Sequence, residues 1–235
     1  MNLLILTEED FLAPGRVRLT GRRLKHVTEV HRAKAGDELA VGLLEGALGR
    51  GRVTRLDAEA LELEVVLDQT APPKLPLTLV LAMPRPKVLN RVLAAATSLG
   101  VARIYLVNAW KVEKSYWHSP RLAEANLLLQ RILGLEQARD TLLPELHLRR
   151  LLRPFAEDEL PGLCRGTQAL LAHPGSEAAC PRAVAGPVTL VIGPEGGFIP
   201  AEIDLLARSG CRPVHLGERI LRVETAVAAL VGRLF

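Results

Sequence analysis

The chain has 235 residues, 49% hydrophobic and 24% charged, enough for one large or two small domains with a sizeable core. A net charge of +4 fits a polyanionic partner without demanding one; arginine outnumbers lysine 24 to 6, which favours bidentate phosphate contacts but equally reflects a GC-rich genome. No run approaches the ~20 apolar residues of a membrane helix, no secretory leader is expected, and Cys164, Cys180 and Cys211 lack CxxC or zinc spacing, which excludes disulfide-scaffold and zinc-finger classes.

In chain order, the first feature is a basic run of Arg16, Arg18, Arg22, Arg23, Lys25, Arg32 and Lys34, opposed along the sequence only by Glu29. Such clusters are the footprint of phosphate binding, and their plain alternative is a solvated face. His26 and His31 lie five apart, poor metal-ligand geometry on a helix, and read as structural or close to the bound polyanion. Strands follow at 38–43, 48–56 and 61–67, punctuated by Gly36-Asp37, Gly46 and Asp57. Short strands at close spacing predict a small β-barrel. Phe11 is the only aromatic before Tyr105, so base stacking has few candidates there.

Thr70-Ala71-Pro72-Pro73-Lys74 marks a boundary. Beyond it come a buried strand at 75–83, a helix at 87–98 stopped by Gly100, a strand at 102–107 and a long helix at 122–137. A connecting loop at 154–166 and a strand at 168–172 complete the middle. Strands alternating with helices predict a mostly parallel α/β sheet.

The stretch from 188 to 229 is the most informative. An apolar strand at 188–192 runs into Gly193-Pro194-Glu195-Gly196-Gly197, whose three glycines leave backbone open to a ligand. Pro200 opens a helix that Gly210 ends. A strand at 213–216 leads to a second loop, Gly217-Glu218-Arg219-Ile220-Leu221-Arg222, and a last helix at 226–234. Two strand-end loops close in sequence build a crevice at the carboxyl edge of a sheet. The first loop is neither a Walker nor a GxGxxG turn, and Glu195 suits a cationic or hydroxyl-rich ligand better than phosphate.

Gly193 to Phe198 followed by Leu216, Gly217, Arg219 to Arg222 and Glu224 to Ala226 resembles the C-terminal signature of the 16S ribosomal RNA uracil-N3 methyltransferases, the RsmE family of the SPOUT superfamily. The resemblance implies an N-terminal PUA-like RNA-binding β-barrel (1–70) and a C-terminal SPOUT domain (74–235) with a parallel sheet and a deep trefoil knot at about 168–235. It implies S-adenosylmethionine as cofactor, held bent among loop backbones. Leu171, Ala172 and His173, then Ile192, Gly193, Pro194, Glu195, Gly196 and Gly197, then Leu216, Gly217, Ile220, Leu221 and Arg222, with the Thr225 hydroxyl, are expected around it. For Ile220 and Leu221 core packing is the alternative. The basic run above is expected on the RNA.

The implied reaction methylates N3 of one uridine in 16S rRNA (an m3U1498-type site). It calls for a cation over the developing uracil charge and a proton acceptor. Arg222 is the expected cation and Glu195 or Glu224 the acceptor, although Glu224 also suits the cap of the last helix. A cytoplasmic homodimer acting on the assembled 30S subunit, without metal or membrane, completes the expectation. Alternatives are a SPOUT enzyme acting on transfer RNA or another rRNA site, and a non-catalytic RNA-binding assembly factor. The chain departs from the family at Arg85-Pro86-Lys87-Val88, Ser98-Leu99-Gly100 and Ala109-Trp110-Lys111-Val112. Glu136-Gln137 remains of a longer family pattern, with Arg139 one residue early. No substrate contact is assigned to the central segment.

Overall fold

The computed structural model describes residues 2–235. The chain divides into two compact units, one running to Pro73 and taking in Ile132–Leu143, the other comprising Lys74–Arg131 and Pro144–Phe235.

The first unit is a six-stranded curled sheet of β1 (Leu4–Leu6), β2 (Phe11–Ala13), β3 (Arg16–Leu19), β4 (Glu38–Leu43), β5 (Leu48–Leu56) and β6 (Leu61–Gln69). Their order is β1-β4-β5-β6-β3-β2, with β1 and β4 parallel and the other neighbours antiparallel. Alternation decides the faces. Leu61, Leu63 and Val65 of β6 point inward with Val17 and Leu19 of β3 and Val53 of β5, while Arg16, Arg18, Arg50 and Arg52 stay outside. Helix α1 (Gly21–His26) adds Leu24 to this core. Alternate residues Leu3 and Ile5 of the first strand region pack instead on Leu135, which is why 132–143 belongs to this unit.

The second unit is a wholly parallel sheet of β7 (Leu75–Ala82), β8 (Val101–Val107), β9 (Glu145–Arg149), β10 (Gln168–Ala172), β11 (Val188–Ile192) and β12 (Arg212–Val214). The order is β12-β10-β11-β7-β8-β9, so β11 is inserted between two strands already laid down. All of β11 and the last six residues of β7 are buried, as the unbroken apolar runs require for strands covered on both faces. Helix α2 (Pro86–Ser98) buries Leu89, Val92, Leu93, Ala96 and Thr97, an apolar stripe at helical spacing. Helix α3 (Glu124–Ala138) contributes residues to both units.

The expected loop at 154–166 is helical. It forms α4 (Leu152–Pro154), a π turn (Phe155–Glu159) and α5 (Leu160–Cys164). Pro154 and Pro161 occupy early positions in their turns, where a missing N–H costs nothing, and Phe155, Ala156 and Leu160 are buried. Strand β9 was not foreseen; it is a five-residue edge strand pairing with β8. The sequence is completed by α6 (Pro200–Arg208) and α7 (Val223–Leu234), the latter starting three residues before the expected 226 because Val223 is already buried. The thiols of Cys164 and Cys211 lie 3.8 Å apart, and all three cysteines are free. Among the described residues no helix is long and apolar enough to cross a membrane.

Candidate active site

Strands β10, β11 and β12 are parallel, so the loops leaving Ala172, Ile192 and Val214 emerge on one side. They enclose a cavity of about 130 Å³. Ala172, His173, Ile192, Gly193, Pro194, Glu195, Gly197, Leu216, Gly217, Ile220 and Leu221 line it, together with Pro174, Phe198, Val214, His215 and Arg219; Val223, Ala226 and Leu230 of α7 close it. Leu171, Gly196, Arg222 and Thr225, also expected around the ligand, are not among the lining residues.

The loop shapes follow from their residues. Gly197 has φ +69° and Gly217 φ +122°, backbone that a side chain would strain. Gly197 N–H closes the first turn on Pro194 O at 2.8 Å. Phe198 is buried against Gly193, where a Cβ would come within 3.1 Å of the ring. In the second loop Gly217 N–H donates to His215 Nδ1 at 2.9 Å. Ile220 is 83% exposed, so core packing does not explain it; it stands at the cavity rim. The result is an apolar pocket edged by loop backbone, the usual build of a small-molecule site.

Glu195 joins this cavity to a neighbouring cleft of about 740 Å³ lined by Arg85, Pro86, Lys87, Val88, Arg91, Tyr116, Glu195, Arg222 and Glu224. Four cations face two carboxylates there, which favours a polyanion. Arg85 N–H donates to Glu195 Oε1 at 3.1 Å, orienting that carboxylate. Glu224, in the first turn of α7, pairs with Arg91 at 3.2 Å, so it serves the helix terminus and an ion pair together. Arg222 is exposed at the N-cap of α7. Tyr116 bonds Glu113 Oε1 at 3.1 Å; burial first, then that carboxylate, push its phenol above the ordinary value. The three expected catalytic side chains thus share one cleft beside the cavity. Arg91 and Tyr116 carried no sequence signal, and Arg85 and Lys87 stood out only as a departure from the family; Phe198 lies within the first motif, and His215 adjoins the second and could have been found there.

The basic run of the first unit is less free than its sequence implies. Arg22 makes a bidentate pair with Glu136 (2.8 and 2.7 Å), and Arg23 with Asp10 (2.6 and 2.6 Å). The β3–β6 register sets Arg16 opposite Glu64 and Arg18 opposite Glu62, so Glu29 is not the only opposing charge. Only folding reveals these cross-strand partners. Lys25 reaches Glu29 at 3.9 Å, while Arg32 and Lys34 are exposed. His26 and His31 stack edge to face at 5.1 Å because the turn Val27–His31 is a π turn, whose i to i+5 period superposes them. Among the described residues no cluster of three or more His, Cys, Asp or Glu is placed to hold a metal ion.

A family model described as an RNA methyltransferase domain matches residues 71–234. The ribosomal RNA small subunit methyltransferase E of Treponema pallidum (strain Nichols) is 31% identical over 242 residues, covering 97% of this chain and 88% of that protein. The chain belongs to the ribosomal RNA small subunit methyltransferase E family. Solved structures carry the same fold. The methyltransferase E of Neisseria gonorrhoeae, bound to S-adenosyl methionine, superposes with a TM-score of 0.77 at 24% identity over 98% of this chain and 95% of its own. A Legionella pneumophila methyltransferase in complex with the same cofactor gives 0.76 at 23%, with 98% and 95% covered. The chain gathers residues of both motifs around one cavity and charged groups in the adjoining cleft.

Proposed function

We propose that the second unit binds S-adenosylmethionine in the cavity at the ends of β10, β11 and β12, and methylates N3 of a single uridine in 16S rRNA. The observation that carries this is Glu195, which lines both the apolar cavity and the basic cleft and so marks where two ligands meet. The cavity suits the cofactor: apolar walls from Phe198, Leu216 and Leu221 accept the adenosine, and loop backbone at 216–221 offers groups to its adenine edge. Bound there, the cofactor supplies an electrophilic methyl group. Arg85, Lys87 and Arg91 hold phosphate, Arg222 stabilises charge on a uracil carbonyl oxygen, and Glu195 accepts the N3 proton. Glu224, paired with Arg91, is our candidate to relay it.

The first unit is read as a PUA-like RNA-binding barrel, with Arg32 and Lys34 exposed on it. A trefoil knot is supported by the insertion of β11 and by the end of α7. There Val184 N–H donates to Leu234 O at 2.6 Å and Arg233 Nε to Cys180 O at 2.7 Å, so the chain between β10 and β11 bonds the end of the last helix. A cytoplasmic homodimer acting on the 30S subunit completes the proposal.

Single-turnover methyl transfer at saturating cofactor and RNA tests the roles. Arg222→Ala is expected to slow the chemical step by roughly 10²- to 10³-fold, the worth of one charge-stabilising donor. Glu195→Gln is expected to slow it by about 10²-fold or more and to shift the pH–rate profile. Wild-type turnover in Arg222→Ala would remove that residue from catalysis.

A further inference from the structure

The segment after β8 presents an aromatic ring that neither the core nor the catalytic groups use. Trp110 is 78% exposed, whereas the other indole, Trp117, is 7% exposed and donates to Asn108 Oδ1 at 2.9 Å. A lone exposed apolar residue is ordinary in itself. What sets Trp110 apart is how firmly its backbone is held.

Glu202 on α6 is only 9% exposed. One of its oxygens accepts Trp110 N–H at 2.7 Å and the other Ile199 N–H at 3.0 Å, so one carboxylate ties residue 110 to the first turn of α6. On the next residue, Lys111 Nζ donates to Gly196 O at 2.7 Å. The Lys111 stem lies so close over Gly196 that a Cβ there would be 2.9 Å from Cδ. Ala109 and Val112 are buried on either side. The main chain is therefore pinned against the glycine-rich turn while the indole points to solvent. Among the described residues no ring or cation lies on that indole.

We propose that Trp110 is a stacking platform for an unpaired nucleobase of the substrate RNA, at the rim of the site and beside the glycine-rich turn. The inference rests on the reading of this site as an RNA methyltransferase centre. A nucleobase is favoured over an apolar protein surface by charge. Glu195, next to Gly196, opens on the cleft of Arg85, Lys87, Arg91 and Arg222, which suits a phosphate backbone carrying the base. The indole N–H and flat face offer what every base can use, so the platform fixes position rather than sequence. A pinned backbone loses little further entropy when the base arrives.

The test compares wild type, Trp110→Ala and Trp110→Phe on small ribosomal subunits lacking the modification, with cofactor affinity by calorimetry and tryptophan quenching by a single-stranded RNA oligonucleotide. Trp110→Ala is expected to raise the KM for subunits roughly tenfold, within the range that one stacked base supplies. Cofactor affinity should be unchanged, and Trp110→Phe should stay within about threefold of wild type because a phenyl ring still stacks. RNA should quench wild-type fluorescence and leave Trp110→Phe nearly unaffected. An unchanged KM in Trp110→Ala, or equal quenching of both proteins, overturns the proposal. So does an unchanged KM with an altered sedimentation profile, which would place the indole against a second copy of the chain. Should the wild type fail to methylate subunits, the enzymatic reading falls by itself and the quenching comparison still decides the platform.

Discussion

Glu136 is 1% exposed, and the guanidinium of Arg22 meets both of its oxygens. A carboxylate so placed is costly only when its partner is removed. Arg22→Ala is therefore expected to destabilise the first unit by about 2–4 kcal/mol, below the full cost of breaking a buried pair because Arg22 keeps partial access to water. Urea unfolding measures this, and a change within 0.5 kcal/mol, the size of an ordinary surface substitution, would contradict it. Asp10 supplies a pH signature. Burial pushes its carboxyl up, but the Arg23 fork and the Thr7 N–H outweigh burial and hold it below the ordinary 3.8. A carboxyl depressed on folding contributes stability that is present above its unfolded value and lost as pH falls through the lower folded one. Wild type should thus lose stability below about pH 4 more steeply than Asp10→Asn, followed by denaturant midpoints from pH 6 to pH 2. In the site, Gly197→Ala must take φ +69°, and an expected cost of roughly 1 kcal/mol should come with weakened cofactor binding in calorimetry.

At the scale of elements, the readable parts are those whose signal is local. Strand Val188–Ile192 and helix Pro200–Arg208 follow from an apolar run, a proline at the first turn and a glycine stop. The glycine pattern of the two loops likewise announced the cavity that they line. Elements fixed by distant partners were not legible. The helical turns from Leu152 to Cys164 hide behind two prolines, and β9 is a strand only because β8 offers an edge. The same holds for charges. Arg16, Arg18, Arg22 and Arg23 read as a free basic face, yet register and packing bring carboxylates from positions 10, 62, 64 and 136 against them. In the cleft Arg85 meets Glu195 and Arg91 meets Glu224 across more than a hundred residues, a distance no motif reports. Helix α6 shows the converse, a local cap with a remote duty: Glu202 bonds its own N-terminal turn and Trp110.

At the scale of the molecule, chain order and unit membership differ. Residues Ile132–Leu143 belong with the first unit, where Leu135 covers Leu3 and Ile5 and Glu136 holds Arg22. A fragment ending at Pro73 should therefore lack cooperative unfolding by circular dichroism, and a sharp two-state transition would contradict that assignment. The cleft beside the cavity sets four cations against two carboxylates, so RNA affinity should fall steeply with salt. In the proposed reaction the cavity and the cleft serve one methyl transfer to uracil N3. The most direct measurement incubates the protein with labelled S-adenosylmethionine and small ribosomal subunits lacking the modification, then identifies the labelled nucleotide by nuclease digestion and mass spectrometry. N3-methyluridine at one 16S position is the predicted result; label in a different base, or transfer to total RNA but not to subunits, would contradict it.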